Sequence, residues 1–253
     1  MSALEILWPV LALTFVMVGI HTLFGLEILR RGVIFTDLAV GQVAAVGIAV
    51  SSAFLGGEHQ AILSLVFSFA AALLIAYVSR HSRHIEAFIG LLYAMGASAV
   101  MIVLSQGSEG DELFKRLMAN DILFVGSGDI LQAVAVYGVI CLLYWGLYSR
   151  LSGFVRELFF FSLLSLMVTT SVPLAGVLVV FTLLIAPAYV ALLQKRFIPV
   201  YFGWMYGWGF IASALYLSYR NDWPTGYSIV FVGTFVTLLI VLWLERAREV
   251  KKR

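Results

Sequence analysis

Apolar runs of about twenty residues, each stopped by charge, glycine or proline, recur from one end of the 253-residue chain to the other. A helix of that length crosses a hydrocarbon core of about 30 Å. The runs predict nine helices, near residues 6–26, 33–55, 60–79, 86–105, 129–149, 158–172, 174–193, 198–219 and 225–244. Backbone polar groups in lipid need internal partners, so helices are the default spanning element. No alternation of strand period suggests a barrel. The runs 158–172 and 174–193 meet at Ser171-Val172-Pro173 with almost no loop, which leaves a broken or re-entrant segment open there.

Basic residues orient the spans. With the C-terminal tail (Arg246, Arg248, Lys251, Lys252, Arg253) placed in the cytoplasm, counting backwards puts Arg30, Arg31, Arg80, Arg83, Arg150, Arg156, Lys195 and Arg196 on the inner side as well. Thirteen of the 16 basic residues then lie inside, and Lys115, Arg116 and Arg220 outside. The expectation is an odd number of crossings, N-terminus out and C-terminus in. The long connection 106–128 falls on the outer side, with Glu109, Asp111, Glu112 and Asp121 against Lys115 and Arg116. Its Leu113, Phe114, Leu117 and Met118 fit a short interfacial helix, either covering the bundle or docking an external partner.

Composition agrees with the pattern. Hydrophobic residues make up 62% of the chain and charged ones 12%, where soluble domains carry about 25% charged residues. The reading is an all-α polytopic membrane protein, one transmembrane domain over residues 1–253, with no stretch left for a soluble domain and no nucleic-acid partner. The first span lacks a basic n-region and a small-residue cleavage site, so no removable signal peptide is expected. Cys141 stands alone, which excludes an internal disulfide and argues against a thiolate metal site.

Candidate chemistry is sparse, and that sharpens the few positions that carry it. Asp37 stands at the start of the second run, and a charge deep in a bilayer costs about 2.5–3.5 kcal/mol on insertion scales. It shares a helix face with Gly41, whereas Gln42, five residues on, lies about 140° away. Two readings stay open: Thr36 or Asp37 caps the helix, or Asp37 pairs with Arg30 or Arg31, against a place for Asp37 on a permeation path. Glu86 opens the fourth run, where the helix dipole favours an acid. His81 and His84 resemble a metal pair at i,i+3 but flank arginines in a short turn. His21 is either a satisfied interior histidine or a pathway ligand. Pro187 interrupts the run Ala175–Ala188 and is expected to kink or end its helix. Small residues from Gly90 to Ala99 allow close packing in the fourth span.

Absences narrow the class. No Gly-x-x-x-x-Gly-Lys-Ser/Thr loop is present for ATP, and neither Gly-x-Ser-x-Gly nor His-Glu-x-x-His occurs. No nucleophile–base pair can be assembled from the buried polar residues, and the chain of carboxylates of a proton-driven pump is missing. An enzyme is not expected.

Four segments in order resemble a known family. Leu29–Gly47, Ile85–Ala97, Asp121-Ile-Leu-Phe-Val-Gly-Ser, and Val168–Ala188 followed by Asp222-Trp-Pro-Thr-Gly-Tyr-Ser-Ile-Val are similar to signatures of the permeases of zinc- and manganese-type ABC importers. The resemblance covers nearly the whole chain. It implies a permease subunit with the fold shared by cobalamin and siderophore permeases, lying in the bacterial cytoplasmic membrane. Implied with it are a homodimer, a cytosolic ATP-binding-cassette ATPase carrying ATP and Mg²⁺, an extracytoplasmic metal-binding protein, and a divalent metal ion (zinc, manganese or iron) as cargo. The chain itself would bind no cofactor.

Two departures modify what the resemblance implies. The family motif places a histidine four residues after the aspartate, where this chain has Gly41; the segment resembles a branch with Asp-Leu-Ala-x-x-Gln. Asp37 is thus carried over as a metal-path residue, with Gln42 beside it, and two oxygen donors suit Mn²⁺, Fe²⁺ or Mg²⁺ better than Zn²⁺. The cytosolic stretch that docks on the ATPase is shortened to residues 149–158. Coupling would fall to Arg150, Arg156 and Glu157, to Lys195 and Arg196, and to the Arg80–His84 turn. Mechanistically, Pro187 would break the helix leading to the inner face. Rival readings are a stand-alone secondary metal transporter or channel, and a degenerate, non-transporting permease kept as a scaffold or sensor.

Overall fold

The computed structural model describes residues 3–106 and 122–252. Among them are nine α-helices and no strand: α1 (Ala3–Arg31), α2 (Thr36–Phe54), α3 (Gln60–His81), α4 (Ile85–Leu104), α5 (Ser127–Leu147), α6 (Gly153–Ala175), α7 (Val177–Leu193), α8 (Pro199–Asn221) and α9 (Thr225–Lys252). Short 3-10 turns stand at Ile122–Phe124 and Tyr148–Arg150. The nine helices correspond in order to the nine apolar runs. Seven are long and apolar enough to cross a membrane; α7, at 17 residues, is shorter. The expected interfacial helix around Leu113–Met118, with its acidic flank from Glu109 to Asp121, lies outside the described residues.

The described chain divides into two compact units. Of the described residues, one comprises 3–31, 122–134 and 178–252; the other comprises 32–106 and 135–177. In the first, α8 packs on α1 and α9, and α7 lies on α1 through Leu26, Ala188 and Ala191. In the second, α2 is the central helix, packed on α3, α4 and α6, and α3 also packs on α6. The composition of α2 permits this. Its buried positions are mostly Ala, Gly, Ser and Thr, and small side chains let neighbouring backbones approach closely. At Gly47 an added Cβ would stand 2.5 Å from the Leu63 carbonyl oxygen of α3.

Three expectations about breaks need correction. The α6–α7 junction falls at Gly176 (φ 83°, ψ 155°), not at Ser171-Val172-Pro173, and Pro173 sits inside α6. That backbone conformation is essentially restricted to glycine, so the residue able to turn the chain set the junction. Pro187 does not break its helix either: α7 runs through it to Leu193. It is accommodated by Gly203 and Gly207 of α8, where added Cβ atoms would stand 3.0 Å from the Pro187 carbonyl oxygen and 3.1 Å from its Cγ. Lastly, the predicted loop 149–158 is largely helical. Only Leu151 and Ser152 separate the Tyr148–Arg150 turn from α6, which puts Arg156 and Glu157 in the first turns of α6.

Candidate functional site

The α1–α2 turn sets the position of Asp37. Arg31 ends α1, Gly32 takes φ +67°, and the Thr36 backbone N–H (3.2 Å) and hydroxyl (2.7 Å) both donate to the Val33 carbonyl. The arginine pair finds its carboxylate one turn back in α1: Arg30 and Arg31 lie 3.3 Å and 3.5 Å from Glu27. Phe35 occupies the N-cap position of α2, without a side-chain cap bond. Asp37 therefore enters the first turn of α2 as a buried carboxylate, 2% exposed, with its Oδ1 free of any hydrogen-bond partner. A buried polar group left in that state costs about 1–3 kcal/mol, so the position is costly for folding alone.

Gln42 is buried too, and its Oε1 also lacks a partner. The two side chains meet different neighbours. An added Cβ at Gly41 would meet Val168 Cγ1 at 3.6 Å and Val172 Cγ2 at 3.9 Å, so the Asp37–Gly41 face looks onto α6. Gln42 turns to α4, where an added Cβ at Gly96 would stand 3.0 Å from the Gln42 Cβ. The structure buries both predicted residues in one unit but on separate seams.

Glu86, in the first turn of α4, does more than favour its own helix dipole. Its Oε1 accepts the backbone N–H of Ile34, tying α4 to the turn that leads into Asp37, and its Oε2 is buried without a hydrogen-bond partner. His21 is fully buried, with Nδ1 2.7 Å from the Met17 carbonyl. His81 stacks on Tyr77 at 4.5 Å, and His84 is exposed in the following turn. No group of three or more His, Cys, Asp or Glu that could hold a metal occurs among the described residues.

The residues assigned to coupling divide between the units. Arg150 and Arg156 are exposed, with the Arg156 guanidinium 4.4 Å over the Tyr148 ring. The start of α6 meets the end of α3: an added Cβ at Gly153 would stand 3.1 Å from Arg80 Nη1. The Arg80–His84 turn and the start of α6 are thus neighbours, and Arg80, Arg83, Arg150 and Arg156 are all exposed. Lys195 and Arg196 belong to the other unit, on a loop clasped by Gln194. The Gln194 Oε1 accepts the Arg196 and Phe197 backbone N–H groups at 2.8 Å and 2.7 Å, and its Nε2 donates to the Phe197 carbonyl at 2.8 Å. Sequence reasoning missed this clasp. It also missed the Tyr137–Ser171 hydroxyl pair (2.7 Å) and Ser165, a fully buried hydroxyl without a partner. A run of Ser and Thr in an apolar helix was the only available signal.

Residues 3–244 match the family model of the ABC 3 transport family. The chain is 26% identical over 253 residues to the manganese transport system membrane protein MntC of Listeria monocytogenes, covering 92% of this chain and 89% of that protein. It is 25% identical over 257 residues to the protein of the same name from Listeria innocua, with the same coverage. The solved structure of PsaBC from Streptococcus pneumoniae in complex with Fab shares the fold. Its TM-score is 0.74 at 21% identity, over 94% of this chain and 91% of that one.

Proposed function

The chain belongs to the ABC 3 transport family, and we propose that in it this chain is the multi-pass permease subunit of an ATP-driven importer for a divalent transition metal, manganese foremost. As a permease it is not an enzyme; ATP hydrolysis belongs to a separate cytosolic ATPase. An extracytoplasmic metal-binding protein delivers the ion. Two copies of the chain, each acting as one permease domain over residues 1–253 with its N-terminus out and C-terminus in, form the pathway in a bacterial cytoplasmic membrane. Transport proceeds by alternating access.

The observation that carries this reading is Asp37: a carboxylate buried on the central helix of its unit, in a transport family, with one oxygen unpartnered. Intramembrane acids of this kind mark ion pathways. Manganese is favoured because the buried donors are oxygens, which suit harder cations, and because the two Listeria relatives are named as manganese transport proteins. Coupling to the ATPase falls to the exposed Arg80, Arg150 and Arg156 with Glu157, and to the clasped Lys195-Arg196 loop.

The test is Mn²⁺ uptake by cells of the native host whose chromosomal copy carries Asp37→Ala, with the amount of chain in the membrane measured alongside. Loss of uptake at an unchanged membrane level is expected. Normal uptake would remove Asp37 from the pathway.

A further inference from the structure

Ser165 is fully buried and its hydroxyl has no hydrogen-bond partner. That is unusual for its helix. Thr169, Thr170 and Ser171 of α6 each donate to a carbonyl four residues back, at 2.7 Å, 2.9 Å and 2.6 Å. A serine on a helix always has that option, so its hydroxyl points elsewhere.

The register of the helices shows where. Gly47 near the end of α2 meets Leu63 and Ser64 near the start of α3, so these two run antiparallel. Gly153 at the start of α6 meets Arg80 at the end of α3, so α6 is antiparallel to α3 and parallel to α2. Gly41 of α2 lies level with Val168 and Val172 of α6. Asp37 is one turn before Gly41, and Ser165 is about one turn before the midpoint of those valines. Ser165, Val168 and Val172 stand at i, i+3 and i+7, on one face; Asp37 and Gly41 stand at i and i+4, on the face that meets it. Asp37 Oδ1 and Ser165 Oγ are therefore two unpartnered oxygens at one level of one seam. Neither oxygen has a hydrogen-bond partner in the protein.

We propose that the Ser165 hydroxyl is the second oxygen donor to the transported cation, across the α2–α6 seam from Asp37, and that it helps select hard cations over soft ones. This rests on the reading of Asp37 as a pathway residue. A carboxylate and a hydroxyl offer oxygen alone, and oxygen ligands suit Mn²⁺, whereas thiolate ligands suit softer ions.

The experiment measures Mn²⁺ uptake, and its inhibition by Cd²⁺, in native-host cells carrying Asp37→Ala, Ser165→Ala or Ser165→Cys at the chromosomal locus, with the membrane level of each variant followed by immunoblot. Ala and Cys are close to serine in size, so both should assemble. The expected result is loss of uptake in Asp37→Ala and about a tenfold fall in Ser165→Ala, the scale on which a single shell residue acts at a metal site. In Ser165→Cys, Cd²⁺ should inhibit severalfold more strongly. If Asp37→Ala is inactive while both Ser165 variants match the parent in rate and in Cd²⁺ inhibition, the Ser165 proposal is overturned and the Asp37 reading stands. If both Ser165 variants lose rate equally with Cd²⁺ inhibition unchanged, the hydroxyl is structural and the proposal is again overturned. Normal uptake by Asp37→Ala overturns both.

Discussion

Gly41 stands one turn after Asp37 on the same face of α2, and the packing around it says what a histidine there would do. An added Cβ at Gly41 meets Val168 Cγ1 at 3.6 Å and Val172 Cγ2 at 3.9 Å, ordinary contact distances. Gly41→Ala should thus fit, and replacing a helical glycine by alanine is worth about 1 kcal/mol. Gly41→His must push an imidazole past that Cβ into the two valine side chains, and overpacking of this kind costs about 1–3 kcal/mol. The alanine variant should melt above the parent and the histidine variant below the alanine variant, at about 2–4 °C per kcal/mol for a chain of this size. The assay is thermal unfolding of the purified chain in detergent. Adding Val168→Ala should rescue Gly41→His while lowering the parent, a coupling of about 0.5–3 kcal/mol for residues in contact. In cells, an imidazole one turn from Asp37 should strengthen Zn²⁺ inhibition of Mn²⁺ uptake. A Gly41→His chain that melts as high as Gly41→Ala, with Val168→Ala costing the same in either background, would refute the assigned α2–α6 packing.

Two further predictions use the same unit. Gly47→Ala should destabilise, because its Cβ would stand 2.5 Å from the Leu63 carbonyl oxygen and backbone cannot give way as a side chain can; a melting temperature at or above the parent's would contradict the α2–α3 approach. Glu86→Gln keeps an acceptor for the Ile34 N–H, whereas Glu86→Ala orphans it at a cost of about 1–3 kcal/mol. The alanine variant should melt lower than the glutamine variant, and equal melting would deny the tie between α4 and the Gly32–Phe35 turn.

Much of the fold was legible because it depends on local quantities. An apolar run of sufficient length becomes a helix in lipid whatever surrounds it, and the nine runs match the nine helices of the described residues. Breaks were less legible. Pro173 and Pro187 looked like interruptions because proline lacks an N–H, yet both remain inside helices; Pro187 can do so because Gly203 and Gly207 make room on α8. Gly176 turned the chain instead, through a dihedral that its neighbours could not adopt. In the candidate site, Asp37 announced itself as a charge in an apolar run. Ser165 did not, since a serine hydroxyl normally bonds its own helix and only the folded structure shows that this one does not.

By itself the amino-acid sequence determined the class of molecule, the order of the helices found among the described residues, the family it resembles and a carboxylate, Asp37, that asks for a role. Those follow from hydropathy, length and motif order, which are properties of the chain taken one segment at a time. The tertiary structure decided which seam each polar side chain enters: Asp37 towards α6, Gln42 towards α4, Glu86 onto the Ile34 N–H. Helical periodicity fixes the angle between two residues on one helix, but the neighbour lying at that angle is chosen by packing. Small residues at Gly41, Gly47 and Gly96 admit those neighbours closely enough to strip the polar groups of water, and that desolvation turns an ordinary Asp, Gln or Ser into a candidate ligand.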